Sequence, residues 1–303
     1  MTKQKKILSI IVTFNAEAWL ETCIGSLVES GLHTDIIVID NASSDSTTNL
    51  IEKNYPQVQL SKQRENLGFG KANNIGFQFA LKNDYDYVFL LNQDAYILPD
   101  TLTILTNCHS NHPEYGVISP LQYFSESKLD RFFESYLKKY LSEKEVNELL
   151  SDDFSTQKEI YPIPYVNAAI WLVSKACLQK VRGFDADFEH YGEDDEFMQR
   201  VLFYNFKIGV CPKAIGFHLR AQSTSPHQQL HGDALRKFVN RHALILLKDL
   251  KQPFWKAAGM SIFYTLKYIL KSLLKSHIKD TLILVRLLFH FSGRLFYYRK
   301  IKS

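Results

Sequence analysis

No uncharged apolar run in the sequence approaches the about 18–20 residues that a membrane-spanning helix needs, so an integral membrane protein is not expected. Cysteine is scarce: Cys23, Cys108, Cys177 and Cys211 stand far apart and form no C-x-x-C pair. That spacing argues against a zinc knuckle or a redox dithiol and suits a reducing compartment. The stretch from Met1 to Lys6 followed by Ile7–Val12 begins like a signal peptide. The apolar run stops at Thr13-Phe14-Asn15 without a small-residue cleavage site, so export is not expected. Internal repeats and low-complexity tracts are also absent.

What is present is apolar material for a large core, with 46% hydrophobic and 13% aromatic residues. At 303 residues the chain can hold one large domain with an appendage. The net charge of +4 hides an asymmetry. From Ala234 to Ser303 there are 15 Lys/Arg against 2 Asp/Glu, whereas the rest carries 21 basic and 30 acidic residues. This divides the chain into an acidic, cation-tolerant domain over 1–233 and a basic extension over 234–303.

Ile7–Val12 is a short, β-branched, uninterrupted run, as a strand buried on both faces should be. Trp19, Leu20, Cys23, Ile24 and Leu27 then recur at helical spacing up to Gly31. The alternation continues with a strand at Asp35–Asp40, a helix at Ser46–Asn54, a strand at Val58–Ser61, a helix at Gly70–Lys82 and a strand at Tyr85–Leu91. Strands alternating with helices predict an α/β fold with a mostly parallel sheet and ligands outside the carboxyl ends of its strands. Ser125–Glu159 reads as a charged insertion with one amphipathic helix around Tyr136–Leu150. Strand character returns at Tyr165–Val173, an acidic-aromatic loop spans Phe184–Gly192, a helix runs from Glu193 to Tyr204, and everything after Leu235 reads as helix.

Several strand ends carry polar residues suited to chemistry. Asp40-Asn41-Ala42-Ser43 offers a carboxylate and short polar groups for a base or ribose, although the same residues are ordinary turn formers. Asn66-Leu67-Gly68-Phe69-Gly70-Lys71 opens a helix and suits close backbone approach and anion binding. A dinucleotide fingerprint is disfavoured because Asn73 stands where its third glycine belongs. Asp94, ending Asn92-Gln93-Asp94, can hold Mg²⁺ or Mn²⁺ against a diphosphate, or cap the helix starting near Pro99. His218 can ligate a borderline metal such as Mn²⁺, or serve the structure alone.

Glu193-Asp194-Asp195-Glu196 places four acids in one helical turn, where one or two would satisfy the helix dipole. Adjacent carboxylates raise one another's pKa, which favours a base for an acceptor hydroxyl.

Together these stretches resemble the family-two inverting glycosyltransferases, in the branch of bacterial rhamnosyltransferases. The matching residues are Ile11-Val12-Thr13-Phe14-Asn15, Asp40-Asn41-Ala42-Ser43, Asn66-x-Gly68-Phe69 to Gly76, Leu91-Asn92-Gln93-Asp94-Ala95, Gly183-Phe184-Asp185, Glu193-Asp194 and His218. The resemblance implies a GT-A fold, in which Thr13, Phe14, Asn15, Asp40, Asn41, Asn66, Gly68, Lys71, Asn74, Asn92 and Gln93 bind the nucleotide sugar. Asp94 and His218 are its metal ligands. Glu193-Asp194 matches the catalytic acidic pair, with Asp194 as base. The continuation Asp195-Glu196, where an apolar residue and Asp are common, leaves the base uncertain by one position. Asn167-Ala168-Ala169 stands where a glycine is usual near the acceptor.

The expected function is inverting transfer of a sugar, rhamnose by resemblance, from a nucleotide-diphospho-sugar to a lipid-linked or surface glycan. The alternatives are a nucleotidyltransferase, which would need a basic glycine-rich loop that Thr13-Phe14-Asn15-Ala16 does not supply, and a non-catalytic nucleotide-sugar-binding protein on a membrane. The expected location is the cytoplasm, peripheral at the inner face of the cell membrane, with no nucleic-acid partner and an oligomeric state left open. Ile262, Leu266, Ile269, Leu270, Leu273 and Leu274 are expected to form one apolar face beside Lys267, Lys271, Lys275 and Lys279, with Arg286, Arg294, Arg299 and Lys300 extending the charge. On that reading a chain ending after Lys251 stays soluble and keeps donor hydrolysis.

Overall fold

The computed structural model describes residues 5–151, 153, 155–188, 191–219 and 230–302. Glu189 and His190 of the acidic-aromatic loop lie outside these, as do the side chains of Arg294, Arg299 and Lys300. The first half runs β1 (Ile7–Thr13), α1 (Leu20–Val28), β2 (Asp35–Asp40), α2 (Thr47–Asn54), β3 (Gln59–Lys62), α3 (Phe69–Lys82), β4 (Tyr87–Leu91), β5 (Ala95–Ile97) and α4 (Thr101–Asn111). The second half runs β6 (Tyr115–Ser125), β7 (Lys128–Leu129), α5 (Arg131–Tyr140), α6 (Glu143–Leu149), β8 (Tyr161–Pro162), β9 (Ile170–Ser174), α7 (Lys175–Val181), α8 (Glu193–Phe203) and β10 (Lys207–His218). Three helices follow: α9 (Gly232–Lys248), α10 (Phe254–Leu274) and α11 (Ile278–Lys302).

The sheet orders its strands β3-β2-β1-β4-β9-β6-β10-β5, with β7 beside β6 and β8 beside β10. The expected parallel pairing holds for β3, β2, β1 and β4. Beyond β4 the sheet is mixed, because β9 runs antiparallel to both β4 and β6.

Both faces of β1 are covered, which explains its unbroken apolar run. Leu8 and Ile10 pack with Ala72, Phe77 and Ala80 of α3, while Ile7 and Ile11 pack with Leu20, Cys23, Ile24 and Leu27 of α1. A Cβ on Gly76 would come within 2.6 Å of the Ile10 side chain, so glycine there lets α3 lie against β1.

The insertion holds two helices where one was expected. Ser142 and Glu145 form a reciprocal capping box that starts α6 anew after α5.

The last three helices pack around one core made of Val239, Ala243, Leu244, Leu247, Ala258, Ile269, Leu284, Leu287 and Phe291. Phe188, from the loop before α8, belongs to the same core. Ile269 is therefore interior, contrary to the expected membrane face. The inward side of α10 is otherwise lined by Ala257, Ala258, Ser261, Thr265 and Ser272, and Phe263, Leu266, Leu270, Leu273 and Leu274 are turned outward. Among the described residues no helix is long and apolar enough to cross a membrane.

Candidate functional site

The site follows the ends of β1, β2 and β4, the start of α3 and the start of α8. Thr13 Oγ1 donates to Asp40 Oδ1 at 3.0 Å, and the Ser43 backbone N–H donates to Asp40 Oδ2 at 3.0 Å. Asn41 accepts from Leu67 N at 3.2 Å and donates to the Gly68 carbonyl at 3.2 Å, joining the β2 end to the turn before α3. Gln93 Oε1 accepts from Phe14 N at 2.8 Å, joining the β1 end to the β4 end.

Thr13, Asp40 and Asn41 are thus buried supports of the turns, whereas Phe14, Asn15, Asn66 and Lys71 are exposed. Asn15 (φ 49°) and Gly68 (φ 78°) adopt left-handed or related positive-φ backbone where the chain turns sharply at this rim.

Asn74 reaches across to the loop before α8. Its amide donates to the Phe184 carbonyl at 2.8 Å and accepts from Phe184 N at 2.8 Å. The residue pins the Gly183-Phe184 turn through both ends of its amide. Gly70 likewise makes room for protein: a Cβ there would sit 3.0 Å from Phe184 Cβ and 3.6 Å from Glu193 Cγ. The glycine-rich helix start therefore lies directly against the acidic pair.

At the end of β4, Asp94 Oδ1 lies 3.4 Å from His218 Nε2, and Asn92 Nδ2 lies 3.4 Å from the same nitrogen. The antiparallel pairing of β5 with β10, which matches Ala95 to His218, brings these distant residues together. His218 is buried, and its Nδ1 makes no hydrogen bond among the described residues, lying 4.0 Å from Asp130 Oδ2. Asp130 is fully buried and its Oδ1 caps α5 by accepting from Phe132 N and Phe133 N, each at 2.9 Å. A carboxylate behind an imidazole, with a second carboxylate in front, is a donor set that fits a divalent ion between Asp94 and His218. The 3.4 Å separation of the two front atoms is near that of ligands sharing one ion at about 2.1 Å each.

At the start of α8 the four acids divide. Glu196 is buried and paired with Arg200, whose Nη2 also donates to the Gly183 carbonyl at 2.7 Å, so it braces the Gly183 turn. Asp194 Oδ2 accepts from the Tyr165 hydroxyl at 2.8 Å, and Tyr136 meets the Tyr165 ring edge-on at 4.9 Å. Burial pushes Glu193 up to about 7, helped by the Asp194 charge and opposed by Arg241. Asp195 is pushed up to about 6 by burial and by Asp194, again opposed by Arg241 and by Lys139. Glu193 Oε2 is buried without a hydrogen bond among the described residues.

Tyr165, Asp130 and Arg241 were not foreseen. Tyr165 reads only as strand, Asp130 only as one acid of the charged insertion, and Arg241 as one charge among many on the basic extension. Asn167, singled out near the acceptor position, is buried, and its Oδ1 makes no hydrogen bond among the described residues.

A mixed sheet with polar turns at the carboxyl ends of its parallel strands, an acid–histidine pair at one end and an acidic helix start beside them define a glycosyltransferase of the GT-A fold. The chain belongs to the family-2 glycosyltransferases: residues 9–157 match the family described as glycosyl transferase family 2, and residues 87–298 match glycosyl transferase family group 2. It is 24% identical over 267 residues to the N-acetylglucosaminyl-diphospho-decaprenol L-rhamnosyltransferase of Mycobacterium tuberculosis, covering 82% of this chain and 86% of that protein. Staphylococcus aureus TarS 1–349, solved in complex with UDP-GlcNAc, shares the fold at 18% identity and TM-score 0.60, over 86% of this chain and 71% of that one. The mannosyltransferase PcManGT from Pyrobaculum calidifontis, solved with GDP-Man and Mn²⁺, does so at 16% identity and TM-score 0.57, over 99% and 84%.

Proposed function

We propose that the protein transfers a sugar, rhamnose in the reading its relatives favour, from a nucleotide-diphospho-sugar to a hydroxyl of a lipid-linked glycan, with inversion. The observation that carries this is the unbroken chain of contacts from Thr13–Asp40–Asn41 through Gly68 and Gly70 to Glu193, joined by Phe14–Gln93 to the Asp94–His218 pair. The exposed Phe14, Asn15, Asn66 and Lys71 would hold the nucleoside diphosphate at this rim. Asp94 and His218 would hold Mg²⁺ or Mn²⁺, whose charge stabilises the departing diphosphate.

Asp194 acts as the base. The Tyr165 hydroxyl and the Asp195 N–H, at 2.8 and 3.0 Å, each donate to one of its oxygens and orient the carboxylate. Asp194 takes the proton of the acceptor hydroxyl as that oxygen bonds to the anomeric carbon. The bond from that carbon to the diphosphate breaks on the opposite face, and the electron pair leaves with the nucleotide. One displacement inverts the configuration.

The outward face of α10 supports a membrane location. Phe263, Leu266, Leu270, Leu273 and Leu274 follow helical spacing, Leu274 is 79% exposed, and exposed Lys267 and Lys271 border the stripe. Ile278, Leu282 and Phe289 expose further apolar surface on α11. Small residues inward and large apolar residues outward reverse the usual order of a water-facing helix and suit a lipid interface. Lysines at the edge favour anionic headgroups.

The test is transfer by the purified chain from a panel of nucleotide sugars to an N-acetylglucosaminyl-diphospho-polyprenol, with and without chelator. A product of inverted configuration that vanishes with chelator and in Asp94→Asn is expected. Donor binding without transfer to any acceptor would favour a non-catalytic nucleotide-sugar-binding protein, and a retained configuration would exclude single displacement.

A further inference from the structure

A second cluster of ligating side chains lies in the C-terminal helices, apart from the cleft. His231 precedes α9, His277 occupies the turn between α10 and α11, and Asp280 lies in the first turn of α11. Asp280 is buried, with Oδ1 accepting from Gly232 N at 2.8 Å. Its Oδ2 is 2.7 Å from His231 Nδ1 and 3.8 Å from His277 Nδ1. The two imidazoles meet edge to face with centroids 4.7 Å apart. One ligand atom from each residue falls within 4.8 Å of the others.

We infer that His231, His277 and Asp280 bind a divalent transition-metal ion of the zinc class, tying the start of α9 to the α10–α11 turn. Two imidazole nitrogens and one carboxylate oxygen form a borderline donor set, which suits zinc, cobalt or nickel better than magnesium or calcium. The carboxylate is already oriented by the Gly232 N–H, and displacement of the proton between His231 and Asp280 would free both atoms for an ion. The cluster opens on a cavity of about 350 Å³ lined also by Leu235, Phe238, Tyr268, Lys271 and Lys275. A water or an anionic oxygen can occupy the fourth position there, with the lysines favouring the anion. The Lys271 ammonium lies over the Tyr268 ring at 5.7 Å, held by an aromatic face.

This inference is independent of the transfer reaction. The test titrates Zn²⁺ into chelator-treated full-length protein carrying Asp94→Asn, which weakens the other site, and follows bound zinc and the thermal midpoint. One zinc per chain and a raised midpoint are expected, with Co²⁺ giving the intense visible absorption of a tetrahedral site and excess Mg²⁺ failing to compete. Adding His277→Ala should weaken binding by at least the roughly 10–100-fold that loss of an outer-sphere partner alone costs. Asp280→Asn, which keeps an acceptor for Gly232 N–H, should do the same. Failure of the Asp94→Asn protein to bind zinc, or unchanged affinity in both further variants, would overturn the assignment.

Discussion

Lys248 Nζ, at the end of α9, lies 2.5 Å from Oδ2 of Asp185 in the Gly183-Phe184-Asp185 turn. Asp187 Oδ2 is 2.6 Å from the same ammonium, whose side chain is only 9% exposed. The basic extension is thereby clamped to the turn that Asn74 and Arg200 also brace, one helix start away from Asp194. The division at 233/234 marks a change of charge, but the elements on either side share ion pairs and, through Phe188, a core.

Lys248→Met should therefore lower unfolding stability by about 3–5 kcal/mol, since two carboxylates lose their buried partner. Urea denaturation measures it, and a change under about 0.5 kcal/mol would mean that the clamp is unimportant. A chain ending after Lys251 keeps Lys248 but strips α10 and α11 from Val239, Leu244 and Leu247. It should aggregate or unfold rather than remain soluble with donor hydrolysis intact.

Asp194→Asn should reduce transfer by about 10²–10⁴-fold while donor affinity stays within a few-fold, because the base acts on the acceptor. Tyr165→Phe should cost less, on the order of 10-fold, as one hydrogen bond to a charged group is lost. Steady-state kinetics and donor titration check both. An active Asp194→Asn beside an inactive Asp195→Asn would move the base one position along α8.

Glu193 gives a pH signature. Its folded pKa, pushed up to about 7 mainly by burial, exceeds the ordinary value of 4.5, so ionisation opposes folding. Its contribution to stability is full below about pH 4.5 and is lost as pH rises through about 7. Glu193→Gln removes the ionisation, and should be more stable than the parent by about 3 kcal/mol at pH 8. The difference should shrink towards zero in acid. Thermal melts of both proteins across pH decide it, and a constant difference would mean that Glu193 is not the titrating group.

The outward face of α10 should carry the protein to anionic vesicles at low salt, with attachment weakening as salt rises. Leu270→Glu with Leu274→Glu should abolish flotation without lowering the melting point, because both side chains already face outward. Equal flotation of the double variant would exclude this face.

Much of the α/β architecture was legible because local chemistry suffices for it. Ile7–Val12 and Asp35–Asp40 are too uniformly apolar and β-branched for anything but buried strands, and Trp19–Leu27 has helical period. The acids at 193–196 and the turn at Asp40–Ser43 were likewise visible, since strand ends and helix starts announce themselves in short segments. The assignment of work within those segments was not legible. Asn74 became a brace for Phe184 because it met a group 110 residues away that no local pattern names, and although Glu196 and Arg200 stand at i,i+4 spacing, only packing turned that pair inward to hold the Gly183 carbonyl.

Tertiary structure alone decided the pairings that span the chain. Asp94 and His218, 124 positions apart, meet only because β10 runs antiparallel to β5, and Asp130 reaches the far side of His218 only through the start of α5. The same holds for α10, where period alone shows apolar residues on several sides. Which side faces inward depended on where α9 and α11 could approach closely, and the small residues Ala258, Ser261 and Thr265 permit that approach while Leu270 and Leu274 do not. Sequence specifies which residues favour each local conformation; packing between distant segments determines which of their side chains remain free to act.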